Sequence, residues 1–175
     1  MYKRQSLGFP TVFNLLGPLC NPAGAERQVM GVYDARYVPL IAEALRRLGA
    51  RRAIVAHGLD GMDELTTTSE TIVAHVESGR VHTERFDALS LGIDRASLAG
   101  LSSSSLEDSA RMVAGVLSGD RGPPRDIVLV NAAAALVVSG VAESFEPAMG
   151  LAEEAIDSAR ARSTLEELAR VSSMT

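Results

Sequence analysis

Residues 51–65 read Arg51-Arg52-Ala53-Ile54-Val55-Ala56-His57-Gly58-Leu59-Asp60-Gly61-Met62-Asp63-Glu64-Leu65. The fold follows from how this stretch changes character. Ile54-Val55-Ala56 is apolar and too short for a helix, with charge before it and glycine after it. That is the pattern of a strand buried on both faces. His57-Gly58 ends the run, and three carboxylates follow, Asp60, Asp63 and Glu64. In open α/β sheets, ligands settle beyond the carboxyl ends of the strands. A hard cation there is held by one or two carboxylates together with substrate phosphates. Neighbouring acids in irregular backbone can turn toward one cation, whereas in a regular strand they point to opposite faces. Taken by itself, such a cluster in a glycine-rich turn is more often simply solvated.

Upstream, residues 28–33 are β-branched and apolar enough for a strand. Asp34 can cap the helix after it, in which Val38, Ile41, Leu45 and Leu48 share one face and Glu43, Arg46 and Arg47 lie largely opposite. Gly49 is a natural stop. Strand, helix and strand within about 30 residues define a βαβ unit. Further upstream, residues 11–16 can form one or two helical turns with Thr11 as N-cap. Gly17-Pro18 and Asn21-Pro22 then impose irregular backbone.

Downstream, residues 71–76 and 80–86 are β-like runs joined by Glu77-Ser78-Gly79, a hairpin signature. Arg80, His82, Glu84 and Arg85 mark the second run as an edge strand. His75 and His82 read as exposed strand histidines. Ser104-Ser105-Leu106-Glu107 fits a capping box, opening a helix with Leu106, Ala110, Val113 and Leu117 on its apolar face. The alanines of residues 127–138 favour a helix apolar all round, with a strand over its first four residues as the competing reading. Asn131 inside it needs partners if buried and reads as a structural anchor. Residues 146–159 are amphipathic. Leu165, Leu168 and Val171 mark a last helix, separate or continuous with the one before.

The chain has 175 residues, 46% hydrophobic and 22% charged, which bounds it to one domain with a sizeable core. Without Trp, and with 4% aromatic residues, that core must be built mostly from Val, Leu, Ile and Ala. A net charge of −5 argues against nucleic-acid binding, which calls for a basic patch. Cys20 stands alone, as suits a reducing compartment. Residues 1–6 lack the apolar segment of a signal peptide, and no apolar run is long enough to span a membrane. A cytoplasmic protein is expected.

Several motifs, in this order, resemble anthranilate phosphoribosyltransferase. They are Thr11-Val12-Phe13-Asn14-Leu15-Leu16-Gly17-Pro18-Leu19, Asn21-Pro22-Ala23, His57-Gly58-Leu59-Asp60-Gly61-Met62-Asp63-Glu64-Leu65, Asn131-Ala132-Ala133-Ala134-Ala135-Leu136 and Ala155-Ile156-Asp157-Ser158. The resemblance covers nearly the whole chain. It implies part of the α/β domain of the nucleoside phosphorylase/phosphoribosyltransferase-like fold: a mostly parallel sheet flanked by helices, with a peripheral antiparallel hairpin. It implies transfer of a phosphoribosyl group from phosphoribosyl diphosphate to the amine of anthranilate, in tryptophan biosynthesis. The leaving group is already activated, so such catalysis rests on positioning and on charge stabilisation by Mg²⁺. By the same resemblance, Asp63 and Glu64 would hold Mg²⁺ against the diphosphate. Arg4 would meet the anthranilate carboxylate through two parallel hydrogen bonds. Gly17 and Pro18 would line the anthranilate channel, in one pocket with the acid pair.

Residues 1–175 lack the family's Gly-Thr-Gly-Gly-Asp loop, its Lys-His-Gly-Asn segment and its N-terminal helical domain. Nothing in them replaces a loop whose backbone N–H groups close on phosphate. The expectation is a single truncated C-terminal α/β glycosyltransferase domain over residues 1–175. It would show little or no turnover alone and would lose the family homodimer, whose contacts lie mainly in the helical domain. Pro10 stands where many members have arginine, and Ala159 where many have glycine. A pyrimidine nucleoside phosphorylase of the same superfamily and a non-catalytic nucleic-acid-binding relative are the alternatives.

Overall fold

The structure, a computed structural model, describes residues 13–20 and 23–173. Arg4, the expected cap Thr11 and the Asn21-Pro22 pair lie outside the described residues. In chain order the elements are α1 (Phe13–Leu19), β1 (Arg27–Gly31), α2 (Tyr37–Arg47), β2 (Arg52–Gly58), β3 (Thr71–Glu77), β4 (Arg80–Phe86), α3 (Leu98–Leu101), α4 (Leu106–Leu117), α5 (Pro123–Ser139), α6 (Phe145–Asp157) and α7 (Arg160–Ser172). A 3₁₀ turn, Ala88–Leu91, follows β4.

The strands form one sheet in the order β1-β2-β3-β4. β1 and β2 run parallel, with Val29 opposite Ile54 and Gly31 opposite Ala56. α2 makes the crossover between them, completing the expected βαβ unit. β2 pairs antiparallel with β3, from Arg52↔Glu77 to Gly58↔Thr71, and β3 pairs antiparallel with β4. The α/β fold stands, but the expected mostly parallel sheet is corrected to a mixed one with a single parallel pair among the described strands. The connections explain it. A parallel pair needs a long crossover, and α2 is the only such crossover within this sheet. The β2–β3 link is the acidic loop. The β3–β4 link is Ser78-Gly79, with φ of 51° and 73°, the positive pair that a two-residue hairpin turn requires. Within the hairpin, β3 is largely buried and β4 is a mostly exposed edge.

Alternation along β2 feeds two cores. Ile54 and Ala56, with Val73 of β3, pack toward α5 and α6; Ala53 and Val55, with Ala74 and Val76, pack toward α2. α2 buries Val38, Ile41, Ala42 and Leu45, the face that its spacing predicts. The apolar run of α5 is helical throughout and buries residues on several sides, Leu129, Val130, Ala133 and Ala134 among them. Arg125, near the start of α5, is only 5% exposed. Its Nη1 donates to Asp157 Oδ1 at 2.7 Å, tying α5 to the end of α6.

Two helices depart from expectation. The α4 cap falls one residue later than the capping box suggested: the Ser105 hydroxyl accepts from the Asp108 N–H at 3.1 Å. Of the apolar residues of α4 only Val116 is buried, while Leu106 and Val113 stay exposed. Past α6 the chain breaks at Ala159, where φ is 60°, a left-handed conformation costly for any residue with a Cβ. α7 is therefore a separate helix, and it buries none of its residues. No helix among the described residues is long and apolar enough to cross a membrane.

Candidate functional site

β2 delivers the chain to a loop, residues 59–70, beyond the carboxyl end of the sheet. The loop is built by short-range hydrogen bonds. Gly58 N–H donates to the Met62 carbonyl at 2.8 Å, and Gly61 N–H donates to the Gly58 carbonyl at 2.9 Å. Asp60 turns inward. Its Oδ1 accepts from Met62 N–H at 3.0 Å, and its Oδ2 accepts from the hydroxyls of Thr66, at 2.6 Å, and Thr68. Burial works to raise the Asp60 carboxyl, but these hydrogen bonds outweigh it and hold the group below its ordinary value. Gly58 makes room: a Cβ there would lie 2.4 Å from Asp60 Oδ1. Of the three carboxylates, Asp60 is thus committed to building the loop.

Asp63 and Glu64 remain. Neither side chain has a hydrogen bond or ion pair among the described residues. Asp63 is exposed and Glu64 half-buried. Burial first, and then the charges of Asp63 and Asp60, push the Glu64 carboxyl above its ordinary value. The main chain beneath them is fixed from both sides. A Cβ on Gly31 would sit 1.5 Å from the Asp63 carbonyl oxygen, so only glycine at the end of β1 lets strand and loop meet. Next in the chain, fully buried Leu65 is bonded through its N–H and its carbonyl to the side chain of Asn131 on α5. His57, at the end of β2, is buried and its Nδ1 donates to the Val32 carbonyl at 2.8 Å.

Two adjacent carboxylates, one desolvated, repelling each other without a counter-charge, are a donor set that suits a hard divalent cation. Mg²⁺ binds through one or two carboxylates and fills its remaining positions with water and phosphate oxygens. Among the described residues, no three His, Cys, Asp or Glu side chains gather into a metal cluster. Glu64 also borders a cavity of about 280 Å³, whose other walls include Met62, Leu101, Met112, Val116 and Ile127.

Gly17 and Pro18 are elsewhere. Pro18 lies inside α1 and lines a separate cavity of about 170 Å³ with Glu26, Gln28, Leu45 and Leu48. Gly17 is exposed, and a Cβ on it would meet nothing within 4 Å. That cavity lies at the amino-terminal end of β1, and the acid pair lies at its carboxyl end. The length of the strand, about 13 Å at 3.3 Å per residue, separates them. The structure therefore does not bring Gly17-Pro18 and Asp63-Glu64 into one pocket. Sequence reasoning missed Gly31, Thr66 and Thr68 as holders of the loop; it read Asn131 as a structural anchor, which its three hydrogen bonds bear out, without the loop as its target. The available signals were a threonine triplet just after the acids and a lone amide in an apolar helix.

A mixed sheet backed by helices, with an acidic loop at the carboxyl end of its buried strand, points to a ligand-binding α/β domain. Residues 1–162 match the family described as glycosyl transferase family, a/b domain, and the chain belongs to that family. Its relatives narrow the class. Anthranilate phosphoribosyltransferase of Moorella thermoacetica is 46% identical over 165 residues, which cover 94% of this chain and 49% of that protein. The protein of the same name from Rubrobacter xylanophilus is 48% identical over 170 residues, 97% of this chain and 50% of that one. Among solved structures, the Thermus thermophilus anthranilate phosphoribosyltransferase superposes with a TM-score of 0.83 at 39% identity, covering 94% of this chain and 48% of its own. The Saccharomyces cerevisiae enzyme, solved in complex with PRPP and Mg, gives 0.81 at 30% identity, with 93% and 47% covered. The chain spans about half the length of the curated relatives it matches.

Proposed function

We propose that this chain supplies the α/β part of an anthranilate phosphoribosyltransferase, which joins anthranilate to the ribose of phosphoribosyl diphosphate in tryptophan biosynthesis, in the cytoplasm and without nucleic acid. The observation that carries the reading is the unneutralised Asp63-Glu64 pair on a pinned loop at the carboxyl end of β2. The names of the relatives, and the PRPP and Mg bound by the yeast neighbour, support it. In the reaction the amine nitrogen bonds to C1 of the ribose, the bond from C1 to oxygen breaks, diphosphate leaves with the electron pair, and the nitrogen gives up a proton.

Asp63 and Glu64 would hold Mg²⁺. When bound, that ion supplies neutralisation of the diphosphate charge. Asp60, Thr66 and Thr68 hold the backbone of the loop that carries the two carboxylates. Arg4, Gly17 and Pro18 are assigned to anthranilate through the resemblance alone. Arg4→Ala should weaken anthranilate more than phosphoribosyl diphosphate, and equal losses for both would remove that role.

Residues 1–175 alone should turn over little or no anthranilate, measured as Mg²⁺-dependent loss of its fluorescence, and should be monomeric by light scattering. Joined to the amino-terminal half of the Moorella thermoacetica relative, the chain should consume anthranilate, and Asp63→Asn should lower its rate and raise the Mg²⁺ concentration it needs; an unchanged rate and Mg²⁺ dependence would leave the pair as a solvated turn. Phosphorolysis of thymidine or uridine by the joined protein, with anthranilate untouched, would move it to the nucleoside phosphorylases.

A further inference from the structure

We infer that Asn131 is a positioning residue for the acidic loop, setting the place of Asp63 and Glu64 from the middle of α5. The inference rests on the reading of those two carboxylates as cation ligands.

A primary amide is the side chain that can pair with a peptide as another peptide does, accepting from its N–H and donating to its carbonyl. Asn131 does this to one residue. Its Oδ1 accepts from Leu65 N–H at 3.1 Å, and its Nδ2 donates to the Leu65 carbonyl at 2.8 Å. The second Nδ2 hydrogen goes to the Ile127 carbonyl, one turn back on α5, at 3.0 Å, and that bond fixes the side chain's direction. The three bonds also fix which way round the amide sits, because a flip would set oxygen against two carbonyls. Among the described residues these are the only hydrogen bonds to the Leu65 main chain.

Leu65 N–H belongs to the peptide that ends Glu64. Just upstream, the Asp63 carbonyl rests against Gly31, and Met62 is held by Gly58 and Asp60. The acid pair therefore hangs between two fixed points, and Asn131 makes the downstream one. Groups that orient metal ligands without touching the metal change affinity by about 10- to 100-fold when removed.

Titration of the 175-residue chain with Mn²⁺ tests this, followed by paramagnetic broadening of its ¹H–¹⁵N spectrum. In the parent, the amides of residues 62–66 should broaden first. Asn131→Leu removes all three bonds. Asn131→Asp keeps the acceptor for Leu65 N–H, loses both donors and adds a negative charge. Charge alone would tighten Mn²⁺ in Asn131→Asp, whereas lost positioning weakens it. Weakening of about tenfold in both variants, with the circular dichroism of the fold retained, supports the inference. Parent-like affinity in both, with binding lost in Asp63→Asn, would overturn the inference and leave the cation reading intact. Parent-like affinity in the double variant Asp63→Asn, Glu64→Gln would overturn both. Should the Asn131 variants fail to fold, the parent still decides. Adding Mg²⁺ should shift the Asn131 side-chain amide and the Leu65 amide together with those of Asp63 and Glu64, and unmoved Asn131 and Leu65 signals would overturn the inference.

Discussion

The two ends of the sheet treat charge in opposite ways. At the amino-terminal end, Arg27, Arg46, Arg51 and Arg52 gather around one open cavity, yet each has a partner. Arg46 meets Glu43 at 2.7 Å, Arg51 meets Glu26 at 3.7 Å, Arg52 meets Glu77, and Arg27 donates to the Ser139 carbonyl. At the carboxyl end, Asp63 and Glu64 lie side by side with no cationic partner among the described residues, and burial adds to their repulsion. Three of the four arginines are matched by an acid of the chain, and Arg27 by a carbonyl. Charge left unmatched and partly desolvated is an energetic liability, and such groups concentrate where a ligand supplies the missing partner.

The contrast can be broken first at Gly31. Gly31→Ala puts a Cβ on the Asp63 carbonyl, so strand and loop cannot both keep their places. A loss of about 3 kcal/mol or more is expected in chemical denaturation. A parent-like curve would mean that the acidic loop is not pinned to β1. Asp60→Ala comes next: with its hydrogen bonds from Met62, Thr66 and Thr68 gone, stability should fall by about 2 kcal/mol.

Removing an acid from each end should then give opposite signs. Glu77→Gln breaks the pair with Arg52 and should cost under about 1 kcal/mol, less in high salt. Glu64→Gln relieves repulsion and should add about 0.5 kcal/mol at pH 7, roughly 1–2 °C in Tm. The folded carboxyl of Glu64 lies above its unfolded value of 4.5, so the folded state holds that proton more tightly. The advantage of Glu64→Gln should shrink as pH falls through the raised value toward 4.5. A stabilised Glu77→Gln or a destabilised Glu64→Gln would erase the distinction between the two ends.

The smallest effect belongs to Glu43, held at about 2 by hydrogen bonds from Arg46 and then Arg47. Its contribution is fully present above 4.5 and is lost as pH falls toward 2. Glu43→Gln should flatten the acid limb of the melting profile over that window and leave Mn²⁺ affinity unchanged.

What could be read from residues alone was local. The double-sided burial of β2 shows in Ile54-Val55-Ala56, the face of α2 in its spacing, and the hairpin in Ser78-Gly79. The place of Asp63 and Glu64 follows from their nearness to β2. The misread sheet direction was a matter of connections: the links after β2 and β3 contain no crossover helix, and that argued for antiparallel neighbours. The rest depends on approaches between distant parts of the chain. Asn131 and Leu65 are 66 residues apart, and the fit of Gly31 to Asp63 exists only once β1 lies beside the loop. Periodicity marks the apolar stripe of α4, but it does not say whether anything covers Leu106 and Val113. A motif such as Gly17-Pro18 carries a resemblance without carrying its own position in space.

The left-handed joint at Ala159 has a dynamic consequence. It isolates α7, which buries none of its own side chains and rests on α6 through Ala161 and the exposed Arg160–Glu154 pair, with pairs such as Arg162–Glu166 and Arg170–Glu167 lying within the helix itself. Its backbone protons can reach solvent through a local opening that leaves both cores closed, whereas those of β2 and β3 must wait for the whole molecule to unfold. In heavy water α7 should fill with deuterium while the central strands still carry hydrogen, so the last helix reports its own stability and not that of the domain.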